Sequence, residues 1–261
     1  MLIDSHCHIQ EANYPLDIND VISRANQADV MKIICVGTNQ QSSIEAIELS
    51  KKYDSIFASV GVHPHFATEE KVDFLEKIVQ ENSNLSNSKL VAIGEIGLDY
   101  YYDNSPHDNQ KKILIKQIEI ALKYNLPIIF HVRNAYDDFW PIIDKFISSG
   151  HKIRGVLHSF TDTLENAKQG INRGLYIGIN GISTFTKDES QKIMYEQIPV
   201  EKILLETDAP LLTPSPLRGK IKINEPAFIR NIAEYNSAIR QINIDKIADI
   251  TTINARALFK I

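Results

Sequence analysis

The sequence has few cysteines, which excludes a disulfide-linked scaffold. Only two of its 261 residues are cysteine, and both Cys7 and Cys35 lie within apolar runs typical of strands. Secreted domains that depend on disulfides carry many more cysteines in a short chain. We therefore interpret both residues as small buried thiols in a reducing compartment.

The chain also lacks a long apolar run and an excess of basic residues. Residues 1–6 show no basic region followed by an apolar one, and no run is long enough to span a membrane. We expect no membrane contact, a cytoplasmic location and no obligate protein partner. Lysine and arginine number 28 against 33 acidic residues, which gives a net charge of −5. This balance disfavours a broad basic surface and leaves only local contacts with nucleic acid.

No linker rich in proline, glycine or serine interrupts the chain, and no charge block marks a domain boundary. The most polar stretch, residues 81–89, is interpreted as a surface loop. The length suits either two modest domains or one α/β barrel of ordinary size. The strand pattern favours a single barrel domain over residues 1–261.

Short apolar runs rich in isoleucine and valine alternate with helical patterns along the whole chain. Runs that are apolar on both faces are typical of buried parallel strands. Helical spacing is clear over residues 111–124, and two more helices, 225–238 and 245–259, follow the last strand. This alternation predicts an α/β fold, a single (β/α)8 TIM barrel with additional C-terminal helices. The predicted strands are Leu2–His6, Lys32–Gly37, Ile56–Val62, Leu90–Asp99, Pro127–Val132, Arg154–Phe160, Leu175–Asn180 and Ile203–Asp208.

A doubly wound open sheet is the competing interpretation of this alternation. Such a sheet would carry a glycine-rich phosphate turn after its first strand, but this chain has His6-Cys7-His8 there. Six of the eight histidines lie at the C-terminal ends of predicted strands, on the face where barrels carry their active sites. Only His107 and His151 fall at a helix start or in a loop. The six are His6, His8, His63, His65, His131 and His158.

Glu95 stands between Gly94 and Gly97 after the apolar run 90–93. A carboxylate there is costly to bury unless it is paired or holds a metal, and the glycines allow another atom to approach closely. We interpret Glu95 as the hub of a metal site that bridges two ions about 3.5–4 Å apart. In this hypothesis His6 and His8 bind on one side, and His131 and His158 on the other. The alternative is a set of core histidines with satisfied hydrogen bonds.

Asp208 lies at the end of the eighth predicted strand, two residues after Glu206 on the same predicted face. Its carboxylate can ligate a metal and can accept the proton of an attacking water. Alternatively, Asp208 is a turn residue before Ala209-Pro210. We expect Glu95 and Asp208 to be catalytic. Mixed imidazole and carboxylate ligands suit two divalent ions, Zn²⁺, Mn²⁺ or Mg²⁺.

Further residues are candidates for substrate binding. His63 and His65 either contact an anionic substrate or brace their loop. Arg133 offers a fork of donors that suits a phosphate, or else forms a salt bridge. Arg218 lies in a rigid basic loop that is either a phosphate clamp or simply solvated. The tyrosines at 100–102 either stack on a base or pack against neighbours.

Several motifs together resemble the signatures of the TatD-type metal-dependent deoxyribonucleases, which belong to the amidohydrolase-like TIM barrels. They occur in family order over essentially the whole chain. One departure is Asp162, where the family usually has glycine. The motifs are Asp4-Ser5-His6-Cys7-His8, Gly61-Val62-His63-Pro64-His65, Gly94-Glu95-Ile96-Gly97-Leu98-Asp99-Tyr100-Tyr101, His131-Val132-Arg133, Leu157-His158-Ser159-Phe160, Glu206-Thr207-Asp208-Ala209-Pro210, Pro216-Leu217-Arg218-Gly219-Lys220 and Asn224-Glu225-Pro226.

The resemblance implies phosphodiester hydrolysis, in several members as a 3′-to-5′ exonuclease on single-stranded DNA and sometimes on RNA. DNA ends or short single strands would then be the partners. Related barrels hydrolyse amides, lactones or esters, and some members remove D-amino acids from tRNA. A metal-binding scaffold without turnover is a third hypothesis, which the full set of ligands together with Arg133 disfavours. The implied metal ligands are His6, His8, Glu95, His131, His158 and Asp208.

Overall fold

The structure, a computed structural model, describes residues 1–69, 72–83, 87–102 and 104–261. Eight strands form one sheet in chain order, with helices between them, and this confirms the predicted (β/α)8 barrel class. The strands are β1 (Leu2–Cys7), β2 (Val30–Val36), β3 (Ile56–Val60), β4 (Leu90–Asp99), β5 (Ile128–Arg133), β6 (Gly155–Leu157), β7 (Tyr176–Ile179) and β8 (Ile203–Leu205).

Nine helices are described. The polar stretch predicted as a loop over 81–89 begins as the end of the third helix, because that helix continues to Ser83. Residues 84–86 lie outside the described residues. The helices are α1 (Ile18–Gln27), α2 (Gln40–Lys52), α3 (Asp73–Ser83), α4 (His107–Lys123), α5 (Tyr136–Ser148), α6 (Leu164–Asn172), α7 (Glu189–Gln197), α8 (Ile229–Arg240) and α9 (Ile244–Phe259).

The chain divides into two compact units. The first comprises Met1–Cys35, Ser159–Asn172 and Tyr176–Ile261, and the second comprises Val36–His158 and Arg173–Leu175. The interpretation of residues 1–261 as one domain stays a prediction.

In the first unit, β1 contacts β8, and α9 packs against both strands. Buried residues of α9 recur at helical spacing, among them Ile247, Thr251 and Leu258. The Asn254 amide donates hydrogen bonds to the backbone carbonyls of Val200 and Ile203, at 3.0 and 2.9 Å. The predicted C-terminal helix is therefore fixed to the start of β8 by its side chains.

In the second unit, β4 lies between β3 and β5, and all ten of its residues are buried. A Cβ at Gly97 would lie 1.7 Å from the His131 carbonyl oxygen, and one at Gly94 would lie 2.6 Å from Cβ of Ile129. The atoms that approach these glycines therefore belong to β5. The glycines on either side of Glu95 predicted that another atom would approach closely, and the atoms that do so belong to β5.

The fold also bears on the two cysteines and on membrane-spanning helices. Cys7 and Cys35 are buried free thiols and register partners in β1 and β2, which agrees with their interpretation as core residues. Among the described residues, no helix combines the length and apolar character needed to cross a membrane.

Candidate metal centre

His6, His8 and Asp208 converge in the first unit. The Nε2 atoms of the two histidines lie 3.1 Å apart. The Asp208 Oδ1 atom lies 3.4 Å from His8 Nε2 and 3.8 Å from His6 Nε2. These ligand atoms all fall within 4.8 Å of one another. Two imidazole nitrogens and a carboxylate oxygen at this spacing fit a divalent cation.

Backbone hydrogen bonds place Asp208 beside the histidines. Its N–H donates to the His6 carbonyl at 2.9 Å, and the His8 N–H donates to the Ala209 carbonyl at 2.7 Å. Asp208 has φ 58°, a left-handed conformation that few residues other than glycine adopt and that aspartate tolerates better than most. The unusual conformation is thus held by hydrogen bonds to β1 and its extension.

Sequence reasoning missed the role of Asp4. Its side chain is fully buried in β1 and accepts hydrogen bonds from the Thr207 N–H at 2.9 Å and the Thr207 hydroxyl at 2.5 Å. Burial raises the pKa of Asp4 to about 7, although these hydrogen bonds oppose the shift. Asp4 therefore positions the residue directly before Asp208. A charged residue inside an apolar strand was the available signal.

Glu206 lies after the regular strand, because β8 ends at Leu205. Its carboxylate accepts a hydrogen bond from the Ser159 N–H at 2.5 Å and lies against β7, since a Cβ at Gly178 would be 2.5 Å from one of its oxygens. The prediction that Glu206 and Asp208 share a face relied on strand alternation, but the strand ends before both residues. The Glu206 carboxylate instead contacts both the segment after β6, through Ser159, and β7, at Gly178.

In the second unit, three imidazoles surround one oxygen of Glu95. Its Oε1 atom lies 2.8 Å from His131 Nδ1 and 3.5 Å from Nε2 of both His63 and His158. Glu95 is 3% exposed. The predicted hub thus gathers His131 and His158, and it also gathers His63, for which the sequence suggested a substrate contact. His63, Glu95 and His131 offer ligand atoms within 4.8 Å of one another.

Asp99 is a second carboxylate in this cluster whose role the sequence did not indicate. Its Oδ2 atom lies 3.0 Å from His131 Nε2 and 3.1 Å from His65 Nε2. Burial opposes the charged form of both partners, but the hydrogen bonds outweigh burial: they raise the pKa of His131 and hold the pKa of Asp99 well below its usual value. Asp99 thus orients His131, whose other nitrogen faces Glu95.

The protonation of His63 bears on its capacity to bind a metal. Burial lowers the pKa of His63 well below 6.5, and the neighbouring His131 adds to this effect. A neutral imidazole is the form that ligates metals. In each unit the spacing of the imidazole and carboxylate ligand atoms, within 4.8 Å of one another, fits a divalent ion.

Both candidate phosphate-binding arginines lie over aromatic rings. The Arg133 guanidinium is 4.0 Å from the Tyr101 ring centroid and 4.8 Å from that of Tyr102, and Arg218 is 3.7 Å from Phe185. Within the described part of the chain, neither arginine forms an ion pair with a carboxylate. The salt-bridge alternative for Arg133 therefore finds no support among these residues.

Asp162, where the resemblance implies glycine, has a local structural role. Its carboxylate accepts hydrogen bonds from the Thr163 N–H and the Asn166 side chain, both at 2.7 Å. These bonds satisfy donors at the start of α6.

A (β/α)8 barrel whose strand ends carry clusters of imidazoles and carboxylates is the architecture of a metal-dependent hydrolase. The chain belongs to the TatD family, since the model of the family described as TatD related DNase matches residues 3–260.

Named relatives support the same class. The chain is 37% identical to the metal-dependent hydrolase YabD of Bacillus subtilis strain 168, over the full length of both chains. It is 32% identical to the 3′-5′ ssDNA/RNA exonuclease TatD of Shigella flexneri serotype 5b, covering 100% of this chain and 99% of that protein. The crystal structure of YJJV, a TatD homologue from Escherichia coli K12, superposes with a TM-score of 0.89 at 28% identity, covering 100% and 98% of the two chains.

Proposed function

We propose that this metal-dependent hydrolase cleaves phosphodiester bonds at the 3′ ends of single-stranded DNA, with RNA as a further substrate. The observation that carries the proposal is the cluster around Glu95 Oε1, where His131 lies at 2.8 Å and His158 at 3.5 Å. Family membership supports the hydrolytic class, and the relative named as an ssDNA/RNA exonuclease supports the substrate.

The donor sets suit two divalent ions, Mg²⁺, Mn²⁺ or Zn²⁺. We assign His6, His8 and Asp208 to one ion and Glu95, His131 and His158 to the other. The bridging of both ions by Glu95 stays a prediction, as do the number and identity of the metals. When bound, such ions polarise phosphoryl oxygens and lower the pKa of a water.

The chain's own residues then have distinct tasks. Asp208 accepts the proton of the attacking water, and Arg133 donates hydrogen bonds to the phosphate. A phosphate contact of Arg218 stays a prediction. The leaving 3′-oxygen departs in line, and a 5′-mononucleotide is released. Substrate roles for His63 and His65 stay predictions, as do the cytoplasmic location and the absence of an obligate protein partner.

The alternative is D-aminoacyl-tRNA deacylation or hydrolysis of a small ester or amide. An arginine without a carboxylate partner among the described residues favours a phosphate over a neutral amide.

The deciding experiment incubates purified protein with 5′- and 3′-labelled single-stranded DNA and Mg²⁺ or Mn²⁺, with D-aminoacyl-tRNA alongside. We expect stepwise release of mononucleotides from the 3′ end, and no release in excess EDTA after dialysis against metal-free buffer. Deacylation without DNA cleavage would support the alternative. Full DNA cleavage in EDTA would contradict metal dependence.

A further inference from the structure

Tyr101, Tyr102 and Arg133 form an exposed cluster at the ends of β4 and β5, here named the Tyr–Arg platform. The tyrosines are 57% and 54% exposed, although large aromatic side chains usually bury most of their surface. Their ring centroids lie 4.9 Å apart with the planes at 90°. The Arg133 guanidinium lies over both rings, and more than half of each tyrosine remains exposed.

Buried hydrogen bonds hold the platform in place. Asp99 Oδ1 accepts from the backbone N–H groups of Tyr101 and Tyr102, at 2.9 and 3.1 Å. The buried Gln110 side chain accepts from the Asp99 N–H at 2.8 Å and donates to its carbonyl at 3.0 Å. These hydrogen bonds therefore fix the backbone conformation of the two residues that carry the exposed rings. A ligand that binds them would lose little free energy in ordering the site.

The Arg133 guanidinium carries the positive charge of the platform and can bind an anionic ligand. Arg133 has no carboxylate partner in residues 1–69, 72–83, 87–102 and 104–261. A guanidinium that stacks on an aromatic face keeps its edge N–H donors for an anion. The platform thus combines aromatic surface with a local positive charge, in a protein whose net charge is −5.

The platform adjoins the proposed metal ligands of the second unit. The Tyr102 ring centroid lies 5.4 Å from that of His65. His65 shares the Asp99 Oδ2 atom with His131, which faces Glu95 through its other nitrogen. One carboxylate, Asp99, therefore fixes both the tyrosines and an imidazole of the Glu95 cluster.

We propose that the Tyr–Arg platform binds the terminal nucleotide of a single strand, with its base stacked on the face of one tyrosine ring and in edge contact with the other, and its phosphate on Arg133. The proposal rests on the nuclease function above and adds a specificity subsite to it. Stacking accepts any base, because every base has a π face. A base inside a duplex is already stacked on its neighbours and paired, so this subsite selects unpaired ends.

A fluorescent terminal base tests the subsite directly. The probe is a short single-stranded DNA with 2-aminopurine at its 3′ end and a phosphorothioate at the last linkage to block cleavage, mixed with the metal-loaded protein. Stacking on the tyrosines should quench the fluorescence. We expect the double variant Tyr101→Ala/Tyr102→Ala to lose the quenching and to bind about tenfold more weakly, since each stacked base contributes on the order of 1–3 kcal/mol.

The matched control is Tyr101→Phe/Tyr102→Phe, which keeps both rings and should quench as the wild type does. A second control replaces the terminal nucleotide of the probe by an abasic residue, and binding of this probe should be the same for the wild type and the alanine variant. Undiminished quenching in the alanine variant would overturn the subsite. An equal loss of affinity for the abasic probe would overturn it too, because the tyrosines would then not be acting on the base.

The binding assay separates this inference from the proposed function. If the wild type quenches the probe but hydrolyses no nucleic acid, the subsite stands and the nuclease proposal fails. If the wild type hydrolyses DNA and the alanine variant still quenches, only the subsite fails. Circular dichroism and thermal unfolding of each variant show whether it is folded.

Discussion

Asp4 accepts two hydrogen bonds from Thr207, one from its N–H at 2.9 Å and one from its hydroxyl at 2.5 Å. The pair connects the first strand of the chain to the segment that carries Asp208. Both residues are fully buried, so the interaction is shielded from water. The position of a proposed ligand therefore depends on a carboxylate that does not belong to the metal-binding cluster.

The stability of the metal-free protein should depend on the titration of Asp4. Burial raises the pKa of Asp4 to about 7 from 3.8, so the folded state holds its proton over a range where the unfolded state has lost it. The contribution of this group is fully present below about pH 4 and is lost as pH rises through about 7. Asp4→Asn cannot lose a proton, so the wild type should lose stability relative to the variant, on the order of 2–4 kcal/mol across this window.

Urea unfolding of both proteins between pH 4.5 and pH 8 measures this difference, with metal removed from each sample. Other titrating groups affect both proteins equally and cancel in the comparison. A difference in unfolding free energy that stays constant with pH would show that Asp4 is ionised throughout.

The affinity for nucleic acid should fall only gently with salt. The net charge is −5, and the cations proposed to meet phosphate are Arg133 and Arg218, so few counterions are released on binding. Fluorescence anisotropy of a labelled single strand at several KCl concentrations gives the slope of log K against log salt. We expect a slope shallower than about −3, and one steeper than about −4 would imply about six or more neutralised phosphates on the single strand and an extended basic surface.

Much of the fold was predictable from the sequence, because buried parallel strands have continuous apolar sequences. β4 was predicted with its observed bounds, Leu90–Asp99, and the helix 245–259 differs from α9 by one residue at its start. β6 and β8 are only three residues long, so the predicted strands Arg154–Phe160 and Ile203–Asp208 extend too far. The predicted strands continue into mostly polar residues, His158-Ser159-Phe160 and Glu206-Thr207-Asp208, and the sequence cannot show where strand pairing ends.

The candidate site was predictable as a set of residue types and less so as a set of contacts. His6 and His8 are two residues apart at the end of β1, and this local spacing indicates that their imidazoles lie close together. The sharing of one Asp99 oxygen by His65 and His131 could not be predicted from local spacing, because the two histidines lie on elements other than that of Asp99. The position of Asp208 depends on a left-handed conformation held by hydrogen bonds to β1, a long-range interaction that alternation cannot anticipate.

Gly97 should be intolerant of any side chain. A Cβ there would lie 1.7 Å from the His131 carbonyl oxygen, and β4 and β5 would have to separate beside two proposed metal ligands. We expect Gly97→Ala to lower the free energy of unfolding by on the order of 4 kcal/mol or more and to reduce bound metal. Gly150→Ala is the matched control, because no atom of the described residues, apart from those of its chain neighbours, lies within 4 Å of its Cβ position.

Gly150 has φ 86°, so its replacement carries only a conformational cost, on the order of 1–2 kcal/mol. Chemical denaturation and elemental analysis of both variants check the comparison. Equal losses for the two variants would mean that backbone conformation, and not the approach of β5, limits position 97.

Glu95 and Asp208 should have separable effects on metal content and turnover. Glu95 Oε1 lies within 3.5 Å of His63, His131 and His158, so Glu95→Ala removes the shared oxygen of that cluster and should lower both metal content and rate. Asp208→Asn keeps an oxygen that can still ligate weakly, near His8 at 3.4 Å, and should retain much of the metal. An amide cannot accept a proton from the attacking water, so turnover should fall about 10²–10⁴-fold. Elemental analysis of each variant, measured beside its rate on single-stranded DNA, checks both expectations. Near wild-type turnover in Asp208→Asn at unchanged metal content would rule out proton transfer by Asp208 and leave it a structural ligand.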